Sequence, residues 1–205
     1  MNLLHLDSSI LGGNSASRSI SAAVVAKLKE SNPGLQVTYR DLAAHTIPHL
    51  SGAYLAAGQS GTEGQLDHAM QADLALGAAV MDEFLAADIV VIGAGLYNFG
   101  VPSQLKAWVD RIAVAGKTFR YTEKGPEGLA GNKRVILAIA RGGYYGAGSP
   151  FASFEHGESY LRNVFAFLGV SNPEVIIAEG LAVGPEQREA GVKAATDAVA
   201  ALKAA

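Results

Sequence analysis

Cysteine is absent from all 205 residues, which excludes disulfides, thiolate nucleophiles and cysteine-ligated metals. Charge is sparse. Only 17% of residues are charged, 16 Lys and Arg are interspersed with 19 Asp and Glu, and the net charge of −3 offers no basic field to a nucleic acid. No apolar run is long enough to cross a bilayer, and Met1 to His5 lack the basic start and apolar centre of a signal peptide. A soluble, cytoplasmic protein is the expectation. The five histidines (His5, His45, His49, His68 and His156) show no metal-ligand spacing, so no metal is expected. No G-x-S-x-G elbow occurs, so Ser9, Asp110 and His156 are not read as a hydrolase triad.

What is plentiful is apolar residue, at 49%, and glycine, at 24 positions. This is enough for one domain over 1–205 with a full core. Leu3-Leu4-His5-Leu6 reads as a first strand. Leu35 to Leu42 alternates, which predicts a half-exposed edge strand. Ile89-Val90-Val91-Ile92 is apolar without alternation, which predicts a central parallel strand, and Arg134 to Ala140 and Val175 to Ala178 supply two more. Helices are predicted with Ile20, Val24 and Leu28 on one face, over about Gln65 to Ala87, from about Pro102 through Leu105, Trp108, Val109 and Ile112, through Tyr160, Val164 and Leu168, and over Glu186 to Leu202. Thr118 to Gly128 reads as a small surface hairpin. Ala43 to Gly64 has no period, and a loop that long is expected to border a site or a partner surface. Five strands alternating with five helices predict an α/β doubly wound parallel sheet of order 2-1-3-4-5 with helices on both faces.

That order brings together three loops at the carboxyl ends of strands, where ligands of open α/β sheets bind. The first, Asp7 to Arg18, holds four serines and two glycines before a helix: an anion cradle, or a loop whose Ser15 or Ser17 merely caps the helix. The second places Leu96-Tyr97-Asn98-Phe99 among Gly93, Gly95 and Gly100. Gly93-x-Gly95 nearly opens a dinucleotide fingerprint, but its sixth position is Asn98 and it follows the third strand, not the first. The third is Ala140-Arg141-Gly142-Gly143, whose paired glycines let backbone approach a flat ligand.

Tyr97-Asn98-Phe99, Pro102-Ser103-x-Leu105-Lys106, Gly116-x-Thr118-Phe119 and Arg141-Gly142-Gly143, in this order and spacing, resemble the FMN-dependent NADH:quinone oxidoreductases, also called FMN-dependent NADH-azoreductases, across nearly the whole chain. The resemblance implies a flavodoxin-like FMN-binding domain. Ser9, Ser15, Ala16 and Ser17 would hold the FMN phosphate, Leu96 to Phe99 would meet the flavin, and Ala140 to Gly143 would border its pyrimidine side. It further implies two-electron, ping-pong hydride transfer from NADH or NADPH through flavin N5 to quinones and azo compounds, with no side-chain acid or base. Phe99, Phe119, Tyr121 and Phe151 are the substrate-stacking candidates, in a homodimer where the flap of one subunit covers the site of the other. The family usually carries a polar residue where this chain has Ala16, Pro-Met where it has Gly95-Leu96, and Ser where it has Ala140. Two other readings share the scaffold: a flavodoxin-like electron carrier and a flavin-free interaction protein.

Overall fold

The computed structural model describes residues 1–59 and 66–203. Five parallel strands make the central sheet: β1 (Asn2–Asp7), β2 (Gln36–Asp41), β3 (Ile89–Gly95), β6 (Arg134–Ala140) and β7 (Glu174–Ala178), in the order β2-β1-β3-β6-β7. Between β3 and β6, β4 (Phe119–Thr122) and β5 (Gly125–Gly128) pair antiparallel as a separate hairpin. With the hairpin set apart, the sheet has the order read from the sequence. Its edge strand β2 is the alternating one, and β3, in the centre, is buried at every position.

Alternation along each inner strand divides the core into two layers. Leu4 and Leu6, Val90 and Ile92, and Val135, Leu137 and Ile139 face one side. There they meet α3 (His68–Ala86), α4 (Ser103–Ile112) and α5 (Glu158–Phe167). Leu3, Ile89, Val91, Ile136 and Ala138 face the other, under α1 (Ala16–Ser31) and α6 (Pro185–Ala200). Leu105, Trp108, Val109 and Ile112 are all buried, as their spacing predicts.

Three details differ from the sequence reading. The 43–64 stretch is not all loop, since it contains the short helix α2 (Gly52–Gln59); the rest of the expectation there, and Gln65, fall in part outside the described residues. Glycines 93 and 95 lie inside β3, and at Gly93 a Cβ would collide with the buried Asp7 Oδ1. On α5 the buried residues are Leu161 and Phe165, followed by Leu168, while Tyr160 and Val164 flank them. Among the described residues no helix is long and apolar enough to cross a membrane.

Candidate active site

The three loops meet in one cleft of about 220 Å³. Ser9 and Ser15 to Ser17 line it from the β1 end, Gly95 to Tyr97 from the β3 end, and Ala140 to Gly142 from the β6 end. Leu11 and Asn14 complete the first wall. A fourth wall, which the sequence reading lacks, is Leu181, Ala182 and Arg188 from the end of β7 and the start of α6. The Gly180 to Gly184 turn after an apolar strand was the signal for it.

Local backbone explains how each wall is held. Ser15 is the N-cap of α1: its Oγ accepts from Arg18 N and lies 3.1 Å from Ser17 Oγ. This leaves the Ala16 and Ser17 amides, at the positive end of α1, without an acceptor among the described residues. The serine loop both caps the helix and presents free donors, so the two sequence readings of it are compatible. Ser9 Oγ shares a 2.8 Å hydrogen bond with Tyr97 Oη, which ties the first wall to the second.

At the second wall, Tyr97 and Gly100 exchange hydrogen bonds of 3.0 and 3.1 Å across Asn98 and Phe99, whose φ angles are 47° and 72°. Both central residues of this tight turn are left-handed, a conformation Asn tolerates and Phe rarely adopts. Its effect is to aim the Asn98 and Phe99 amides outward; among the described residues they find no acceptor. At the third wall the chain leaves β6 and bends at Gly142 and Gly143. Ala182 N donates to Gly142 O at 2.8 Å and Gly180 N to Gly143 O at 3.1 Å, again leaving the two glycine amides free among the described residues.

Beside the cleft, past Gly143 and Val183, opens an apolar pocket of about 470 Å³. Phe99, Tyr144, Tyr145, Phe151 and Phe154 wall it, with the Phe99 and Phe154 rings 5.1 Å apart. Phe151, one of the stacking candidates, lines this pocket. Phe119 and Tyr121 line neither cavity of their own chain. They sit on the hairpin at the opposite end of the sheet, where Phe119 is buried against Phe167 at 4.6 Å and Tyr121 is 75% exposed.

Arg141 contributes backbone to the cleft, but its side chain is buried behind it. Its guanidinium lies 2.6 Å from Glu158 and 3.5 Å from both Glu155 and Glu179. Burial pushes the Glu155 carboxyl up, yet amides in the first turn of α5 together with Arg141 hold it below the usual range. The cluster fastens the Gly142–Gly143 bend to α5 and β7.

Beneath the serine loop lies a second polar network that the sequence did not announce. Ser21 Oγ donates to Asp7 Oδ1 at 2.7 Å, Tyr39 Oη to Asp7 Oδ2 at 3.1 Å, and His5 Nε2 lies 3.0 Å from Ser21 Oγ. Arg18 joins this network to the cleft: it donates twice to Ser9 O, at 3.1 and 2.8 Å, and grips Asp41 at 2.6 and 2.7 Å. That grip, aided by the Ala44 and Ala43 amides and opposed by burial, lowers the Asp41 carboxyl to about 2.

A family model described as having a flavodoxin-like fold matches residues 1–202. A Methylorubrum extorquens (strain PA1) protein, an FMN-dependent NADH:quinone oxidoreductase, is 60% identical over 205 residues, covering 100% of both chains. The chain belongs to the flavodoxin-like FMN-dependent NADH:quinone oxidoreductase family. Solved structures similar to it include azoreductase AzrA, with a TM-score of 0.87 and 30% identity over 98% of this chain and 97% of the other. An FMN-dependent NADH-azoreductase from Bacillus anthracis str. Ames Ancestor, in complex with FMN, is also similar, with a TM-score of 0.85 and 26% identity over 97% of each chain. Within this oxidoreductase family, the cleft and its aromatic pocket are the candidate active site.

Proposed function

We propose that this chain is an FMN-dependent NADH:quinone oxidoreductase that also reduces azo compounds. The observation that carries the reading is a pair of neighbouring cavities, a cleft lined by the start of α1 with its free amides and, beside it, an apolar aromatic pocket. Their residues fit FMN. The Ala16 and Ser17 amides with the Ser9, Ser15 and Ser17 hydroxyls take the phosphate. Leu96 to Phe99 hold one side of the ring, and Ala140, the Arg141 backbone, Gly142 and Gly143 hold the other. Bound there, FMN supplies a ring that takes a hydride at N5 from NADH or NADPH and returns two electrons to an acceptor in a ping-pong cycle. The Asn98, Phe99, Gly142 and Gly143 amides have no acceptor among the described residues and would be the donors available to stabilise charge on such a ring with little reorganisation. Phe99 and Phe151 offer faces on which planar donors and acceptors stack, and their apolar surroundings exclude water. No side chain is required as acid or base.

The reading extends to a cytoplasmic homodimer formed by the single domain. The hairpin lies at the far end of the sheet from its own cleft, so Phe119 and Tyr121 meet the substrate only by reaching the cleft of a second copy. The exposed Tyr121, Leu129 and Phe167 around the hairpin suit such a contact.

The test is a flavin spectrum of the purified protein, then anaerobic mixing with NADH and with a panel of quinones and azo dyes. Rapid bleaching by NADH alone, reversed by these acceptors, is expected. A protein that stays colourless with added FMN refutes the cofactor, and a flavin that turns over only with a redox protein as partner indicates an electron carrier instead.

A further inference from the structure

We propose that Arg188 is a specificity-determining residue of the cleft, the side chain that distinguishes a phosphorylated flavin from its unphosphorylated form. The proposal rests on the FMN reading above. Three arginines lie near this end of the sheet, and two are already neutralised: Arg18 by Asp41 at 2.6 Å and Arg141 by Glu158 at 2.6 Å. Arg188 has no carboxylate within 4.0 Å among the described residues. Among the described residues its one side-chain hydrogen bond runs from Nη1 to Leu181 O at 3.3 Å, long for an N–H donor, which leaves most of the guanidinium fork uncommitted.

Its position is fixed and relevant. Pro185 sits at the start of α6 and Arg188 N donates to Gly184 O at 2.9 Å, so the residue belongs to the first turn of a helix that begins at the cleft. Arg188 lines the cleft together with Asn14, Ser15 and Ala16, the residues that form its serine wall. It also lines an adjoining groove of about 400 Å³ between α1 and α6, which shares those three residues, so Arg188 borders both cavities at that corner.

The other donors at this corner carry only partial charge, and all three serine hydroxyls are partly occupied, Ser9 with Tyr97, and Ser15 and Ser17 with each other. A phosphate held by amides and hydroxyls alone would keep its full charge in a protein whose net charge is −3. Arg188 supplies the missing cation, and its planar fork matches two phosphate oxygens at once.

The experiment compares FMN and riboflavin binding, by quenching of flavin fluorescence, in the wild type, Arg188→Gln and Arg188→Lys. Arg188→Gln is expected to weaken FMN about tenfold or more while riboflavin changes less than about twofold; Arg188→Lys, which keeps the charge but not the planar fork, should recover part of the loss. Inorganic phosphate should compete with FMN, but not with riboflavin, in the wild type, and less effectively in Arg188→Gln. Unchanged FMN affinity in Arg188→Gln overturns the proposal, as does an equal loss for riboflavin, which would make the effect structural. A wild type that binds neither flavin instead overturns the FMN reading itself.

Discussion

The turn at the tip of the second wall makes a prediction against the usual order of residue preference. Phe99 is held at φ 72° and its ring is 45% exposed. Fully burying a Phe contributes about 1.5–3 kcal/mol, so truncating this half-buried ring costs about 1–1.5 kcal/mol in either Phe99→Ala or Phe99→Gly. The variants then differ only in backbone. Alanine keeps a left-handed penalty of about 1–2 kcal/mol, whereas glycine sheds it and loses about 0.5–1 kcal/mol through its freer unfolded chain. Phe99→Gly is therefore expected to be more stable than Phe99→Ala by about 0.5–1 kcal/mol, the reverse of the order in ordinary strand or helix. Urea unfolding of both proteins, stripped of flavin and at one fixed protein concentration, measures this directly. Should alanine prove equal or better, the left-handed pair does not exist in solution, and the outward aim of the Asn98 and Phe99 amides goes with it.

Other expectations are independent of that turn. A Cβ at Gly142 would meet only Ala182 Cβ, at 3.4 Å, so Gly142→Ala should fold normally while Gly142→Val, which adds bulk toward the cleft, should lose FMN; thermal melts and flavin titration separate the two effects. Ser17→Ala and Ser9→Ala should each weaken FMN by about 1.5–3 kcal/mol, and unchanged affinity in both would place the phosphate elsewhere. Asp41, lowered to about 2 by Arg18, stabilises the fold in full above about pH 4 and loses that contribution as pH falls toward 2. Partial exposure reduces it to about 1–2 kcal/mol. Asp41→Asn should thus lose about that much at pH 7, with the gap to wild type narrowing between pH 4 and pH 2 in urea titrations; a constant gap would mean that the ion pair is not its source.

Strand order and the meeting of the three loops were legible because both follow from apolar pattern and the topology of doubly wound sheets. Ile89 to Ile92, without alternation, had to be central, and Leu35 to Leu42, alternating, had to be an edge. Helix α2 was hidden because its anchoring is not periodic: Tyr54 is held by the Arg111 guanidinium, 3.7 Å above its ring, a contact between residues 57 positions apart (111 − 54). The partners of the Arg141 side chain were hidden for a similar reason. Sequence places Glu155, Glu158 and Glu179 far from it, and only the packed α5 and β7 bring them to its guanidinium. Arg188 was missed because a lone arginine in an alanine-rich helix carries no pattern at all. The Arg18 link between Ser9 and the edge strand was invisible on the same grounds, since its partners come from two different strand ends.

The four walls of the cleft draw on residues from Ser9 to Arg188, so its lining spans almost the entire chain. During synthesis the first three walls leave the ribosome well before the last. The cavity is complete only after the start of the final helix has emerged and packed. Loading of whatever it binds is thus a late event in biogenesis, and a nascent chain stalled before residue 180 would have the sheet's centre but an open-sided receptor.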